Sequence, residues 1–293
     1  MSSLDSSLSM IPSPPARRIL IRRHSLAVRL THWINVLCLS FLLMSGLQIF
    51  NAHPELYWGQ FGADADHSFL ALEAVNENGA LKGVTRIGSL EIPTTGVLGA
   101  SLINGELRPR GFPTWITIPS YRDLAAGRRW HFFFAWLFVI NGFVYLAYGF
   151  LAGHFRRDLA PTAAELTPRH LAHEIAAHAR LRFPKGEAAR RYNVLQKLTY
   201  LAVALILLPL MVATGLTMSP GIDAALPWLV DLFGGRQSAR SIHFIAASLL
   251  VLFVIVHLAM VLVSGVLNNL RSMITGRYAI DADQPAAAKD HLP

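Results

Sequence analysis

The chain has 293 residues, of which 53% are hydrophobic and 15% charged, with a mean hydropathy of +0.40 and a formal net charge of +8. A soluble domain carries about a quarter charged residues, so this composition argues against a water-soluble fold and for an all-α integral membrane protein. The basic residues flank apolar segments and so read as a topology signal, which leaves no nucleic-acid partner to explain.

Residues 1–18 are polar and Pro/Ser-rich and are expected to be a disordered cytoplasmic tail. The membrane domain, residues 19–278, follows and begins with an arginine-flanked apolar run. That run is too long for a cleaved signal segment and stays as the first helix, about 26–50. Three more runs suit helices over about 130–153, 194–218 and 240–266, each long enough for about 30 Å of hydrocarbon. The pattern predicts a bundle of four transmembrane helices with a long periplasmic loop, 51–128, between helices 1 and 2, a cytoplasmic loop at 154–193 and a cytoplasmic tail at 279–293.

Loop charges set the orientation. Residues 1–29 hold five arginines against one acid, and 154–193 eight Lys/Arg against four acids. By contrast 51–128 holds six against eight, and 219–240 two against two. Both termini are therefore expected in the cytoplasm, in a bacterial inner membrane. The 51–128 loop has Gly/Pro punctuation and β-branched pieces such as TRIGSLEI, which predicts a folded segment with a short hairpin, suited to docking a water-soluble redox partner. His53 and His67, with Asp64 and Asp66, match no metal motif. The sequence TPRHLAHEIAAHARLRF predicts a helix capped at Thr167 with Pro168 in its first turn, lying on the inner leaflet.

A single cysteine, Cys38, rules out an intrachain disulfide, and no C-x-x-C-H occurs for covalent haem attachment. Four histidines lie in the apolar segments: His32, His131, His243 and His257. His243 and His257 are 14 residues apart, about 40° short of four full turns, so they share a face and differ in depth by about 21 Å. Depth pairs His131 with His243 and His32 with His257. Two pairs at two depths suit two bis-histidine haems b, and iron ligation satisfies imidazoles that hydrocarbon would otherwise leave unpartnered. Zinc would want three or four ligands at one depth. Gly46 and Gly149 fall at depths where each would leave room for a macrocycle. Arg240, one turn before His243, is a candidate partner for a haem propionate.

RLTHW at 29–33, His131 opening the second helix and the two-histidine fourth helix together resemble the bacterial di-haem cytochrome b family. That family includes the b-type cytochromes of nickel–iron hydrogenases, formate dehydrogenase gamma subunits and thiosulfate reductase cytochrome b subunits. The resemblance implies haem b ligated at His32, His131, His243 and His257. RYNVLQK at 191–197 is similar to a gamma-subunit segment whose asparagine lies at the quinone site, which makes Asn193 the matching candidate, although Leu195 stands where that segment has glycine.

The expected function is that of a membrane cytochrome b subunit carrying electrons between a periplasmic redox partner, such as a molybdenum oxidoreductase, and membrane quinone. Two alternatives stand beside it. One is a stand-alone haem b quinone reductase that oxidises a small diffusible reductant. The other is a haem-free transporter using its histidines for ions.

Overall fold

A computed structural model describes residues 18–62, 66–180 and 192–281. The two expected tails, except for residue 18 and residues 279–281, lie outside the described residues, as do Asp64, Arg182 and Arg191. The described chain is mostly helical, at 59%. Four helices are long and apolar enough to cross a membrane: α1 (Leu26–Phe50), α2 (Leu124–Leu151), α4 (Val194–Thr217) and α7 (Arg236–Val263). Shorter helices are α3 (Pro168–Ala179), α5 (Pro220–Ala225), α6 (Pro227–Leu232) and α8 (Val266–Thr275).

Each long helix starts where a polar group satisfies its free N–H groups. Ser25 accepts from the Val28 amide at 3.3 Å to open α1, and Asp123 accepts from Ala126 at 2.8 Å to open α2. α2 therefore begins before its apolar stretch, because the cap, and not hydropathy, sets its start. At α4, Asn193 and Gln196 form a reciprocal capping box. α4 then widens into one π-type turn over Val203–Leu207 just before Pro209, a residue with no N–H to give to the preceding turn. Gly265, at φ +110°, ends α7 and turns the chain into α8.

The bundle packs α1 on α2 and α4 on α7. Cys38, Phe134 and Phe138 form the buried centre of the first pair, with Phe41 stacked on Phe134 at 4.1 Å. Cys38 is a small packing residue there. The outer faces carry Phe133, Trp136, Ile140 and Phe143, all more than half exposed, which suits contact with lipid tails.

An all-α fold requires correction, because eight strands also form among the described residues. β1 (Arg18–Arg22) pairs antiparallel with β8 (Arg277–Asp281), sewing the two ends of the membrane domain together. Between α1 and α2 lie β2 (Glu55–Leu56), β3 (Leu70–Glu77), β4 (Ala80–Ile87) and β5 (Leu90–Pro93), in the order β2-β3-β4-β5. β6 (Ala100–Ile103) and β7 (Glu106–Pro109) make a separate hairpin. The TRIGSLEI sequence is the β4–β5 turn, with Ile87 opposite Leu90. It is one of several hairpins in a small folded layer.

That layer is fastened to the helix ends. Buried Arg110 donates to the Phe112 carbonyl, to Gln48 of α1 and to Thr117, all at 2.8–2.9 Å. Asn51 exchanges two hydrogen bonds with the Phe112 backbone. Along α7, the Gly59 carbonyl accepts from the amides of Gln237 and Ser238, and Ser241 donates to the Tyr57 carbonyl at 2.5 Å. The segment leaving α1 thus splints the first two turns of α7, the turns that lead to His243.

Candidate functional site

The four membrane histidines meet as two pairs. His131 of α2 faces His243 of α7 with ring centroids 6.4 Å apart, and His32 of α1 faces His257 of α7, also at 6.4 Å. The first is the sheet-side pair and the second the termini-side pair. All four side chains are half-buried, turned into the space between helices.

The spacing carries chemical information. A metal–imidazole bond is about 2 Å long and the ring centre lies about 1 Å beyond the nitrogen, so rings on opposite sides of one metal have centres about 6 Å apart. That is too far for a direct hydrogen bond between the two imidazoles and suits a single iron between them. His32 Nδ1 is moreover buried with no hydrogen-bond partner. The donor set is two neutral imidazoles per site with no carboxylate. No group of three or more His, Cys, Asp or Glu side chains that could hold a metal ion occurs among the described residues. These residues fit a bis-histidine haem.

The sheet-side pair has a built surround. Ser45 Oγ lies 3.1 Å from His131 Nδ1 and Thr214 Oγ1 lies 3.0 Å from His243 Nδ1. Each hydroxyl already donates to its own helix backbone, Ser45 to Phe41 at 2.6 Å and Thr214 to Leu210 at 2.7 Å. Each therefore accepts from Nδ1–H, which fixes the tautomer and leaves the Nε2 lone pair free.

The next residue in each helix is glycine. A Cβ on Gly46 would lie 3.4 Å from the His131 ring, and one on Gly215 would lie 3.4 Å from the His243 ring. α1 and α4 thus present the same hydroxyl–glycine–leucine triplet, Ser45-Gly46-Leu47 and Thr214-Gly215-Leu216, to the histidine of the helix packed against each. Gly46, expected to leave room for a macrocycle, here gives room to the His131 ring, and Ser45, Thr214 and Gly215 join it as site residues that the histidine pattern does not point to. The repeated triplet was the available signal.

Other expected residues sit elsewhere. The space beside Gly149 is filled by the Phe155 ring, so this glycine admits a side chain of its own protein, which corrects the expectation of a macrocycle there. Arg240 donates to the backbone carbonyls of Glu55 and His53 and lies over the Phe50 ring, so in this arrangement it clamps the α1–β2 segment onto α7. Asn193 spends its amide oxygen on the α4 cap, and its Nδ2 lies 3.1 Å from His178 Nε2. Beside it, Tyr192 hydroxyl lies 3.1 Å from His24 Nδ1, and Lys197 pairs with Glu165 at 2.8 Å, which holds that carboxyl below the usual carboxylate range.

The family model described as prokaryotic cytochrome b561 matches residues 23–276 of this chain, a span that includes all four helices and both histidine pairs. The chain belongs to the prokaryotic cytochrome b561 family. It is thus a membrane cytochrome of the haem b, electron-transfer type. The cytochrome is also 27% identical over 250 residues to a candidate protein-methionine-sulfoxide reductase subunit, YedZ1, of Azospira oryzae, covering 85% of this chain and 93% of that relative. No solved structure matches it.

Proposed function

We propose that this cytochrome binds two haems b, one between His131 and His243 and one between His32 and His257. It carries electrons between membrane quinone on the termini side and a redox protein docked on the strand layer between α1 and α2. The observation that carries the reading is the pair of imidazole couples, each at the separation that suits one iron and each at its own depth.

Haem, when bound, supplies one-electron exchange, and the chain supplies ligands, orientation and a dry setting. Ser45 and Thr214 hold the protons on His131 Nδ1 and His243 Nδ1, so each Nε2 is presented as a lone pair. Gly46 and Gly215 let α1 and α4 approach those rings closely. The Gly59, Tyr57 and Arg240 contacts keep α7 at one height, which sets His243 and His257 together because one rigid helix bears both.

The strand layer is the docking face because it lies beyond the sheet-side pair and exposes Trp58, Phe61 and Trp115. The name of the Azospira relative supports a reductase as the partner, and a molybdenum oxidoreductase is the class proposed from the resemblance. Quinone is assigned to the termini side, near Asn193, with both termini in the cytoplasm of a bacterium.

Pyridine haemochrome quantitation of the purified protein tests this. The expected result is two haems b per chain, falling to one in His243→Ala and to one in His257→Ala. A well-folded preparation without haem would move the histidines to ion handling. Full quinone reduction by a small soluble reductant without any partner protein would favour a stand-alone reductase.

A further inference from the structure

At the termini side, β1, β8 and the first turn of α1 line an open-sided cavity of about 510 Å³ whose lining includes Arg22, His24, Arg29 and Arg277 together with Leu20 and Leu26. The register of the two strands sets Arg22 directly opposite Arg277. Like charges in that relation repel, and among the described residues neither guanidinium has an acidic partner. Arg29 sits beneath them. One of its terminal nitrogens donates to the Ile274 carbonyl, while its Nε is buried with no partner. A Cβ on Gly276 would come within 3.3 Å of Arg29 Nη1, so a glycine there leaves the guanidinium room. His24, pushed down to about 4 by burial first and Arg23 second, is neutral at physiological pH. The cavity therefore gathers three guanidinium groups with no carboxylate on its wall.

Its other wall is apolar. Leu20 and Leu26 are 56% and 57% exposed, at the level where α1 enters the membrane, and α8 beside them exposes Leu267 and Ile274. A small soluble anion would use the arginines and ignore these leucines. A molecule with an anionic head and hydrocarbon tails would use both.

We propose that this cavity binds the head group of an anionic phospholipid, its phosphate held by Arg22, Arg29 and Arg277 and its chains lying over Leu20 and Leu26. The lipid relieves the Arg22–Arg277 repulsion and closes the strand pair that joins the two ends of the chain. The proposal needs the chain to lie in a membrane but does not depend on where haem binds.

Native mass spectrometry of the purified holoprotein, with phosphatidylglycerol or phosphatidylcholine added, tests it. Retention of phosphatidylglycerol should exceed that of phosphatidylcholine by about tenfold or more, and Arg22→Gln/Arg277→Gln should cut that preference to the small part that Arg29 alone supports. Arg22→Lys/Arg277→Lys should keep much of it, which separates charge from misfolding. Equal retention of the two lipids by the wild type would overturn the proposal. So would displacement of phosphatidylglycerol by millimolar inorganic phosphate, which would make the site one for the free anion. A double Gln variant that shifts the haem spectrum while keeping its lipid would assign the arginines to a haem carboxylate and would also overturn it.

Discussion

The two histidine pairs have the same centroid separation and very different surroundings. At the sheet-side pair, both Nδ1 atoms meet a hydroxyl and both rings rest against glycine. At the termini-side pair, His32 Nδ1 is buried without a partner, and the neighbours are aromatic: Trp33 edge-on to His32 and Phe253 stacked on His257. A ligand imidazole whose Nδ1–H is hydrogen-bonded is more basic and favours the oxidised iron. One bundle thus sets a hydrogen-bonded imidazole pair and an apolar imidazole pair at opposite ends of a single helix, so the two haems proposed for them would differ in potential.

The glycines beside the sheet-side pair offer the largest effect. Gly46→Leu and Gly215→Leu place side chains where a Cβ alone would already touch the His131 and His243 rings. Each should cost the sheet-side haem and leave the termini-side one, so haemochrome quantitation should fall from two haems to one. Loss of both, with the helices still folded, would mean that the two sites are not independent.

A second test lies at the termini side. His24 is held at about 4, below its ordinary 6.5, chiefly by burial and then by Arg23, with Arg29, His154 and His32 adding to the positive surroundings. A depressed histidine stays neutral in the folded chain while the unfolded chain takes up the proton. Its contribution is therefore complete above about pH 6.5 and is lost as pH falls towards 4, by up to about 3 kcal/mol. Thermal unfolding followed from pH 7.5 to 5 should show a falling Tm, and His24→Phe should flatten that slope. An unchanged slope in the variant would show that His24 does not set the pH dependence.

Ser45→Ala and Thr214→Val each remove one neutral hydrogen bond from a ligand, worth about 1 kcal/mol, or on the order of 40 mV for a one-electron couple. Each should raise the sheet-side potential by about that amount and leave the other potential in place. Movement of both potentials would point to a general change in packing.

The helices and the histidines were legible because hydrocarbon imposes a coarse rule: about 20 apolar residues per crossing, and ionisable groups only where something satisfies them. Helical geometry did the rest, since the 14-residue interval between His243 and His257 fixes both face and depth. The strand pairing of β1 with β8 was not legible, because it joins residues more than 250 positions apart and each partner is only five residues long. Arg240 and Asn193 look like ligand-binding residues in sequence, yet their side chains are committed to the His53 and Glu55 carbonyls and to the cap of α4. A polar side chain beside a site announces a hydrogen bond but not the partner it will choose. Ser45 and Thr214 were missed for the reverse reason, since small hydroxyls in membrane helices ordinarily bond their own backbone. These two do that as well, and only their second contact reveals the role.

A potentiometric titration of the purified cytochrome, followed at the haem α-band in wild type and His243→Ala, tests whether each histidine pair holds its own haem. Two one-electron steps are expected in the wild type, with the lower-potential step absent in His243→Ala. A single step in the wild type, or loss of the higher-potential step in the variant, would contradict that assignment.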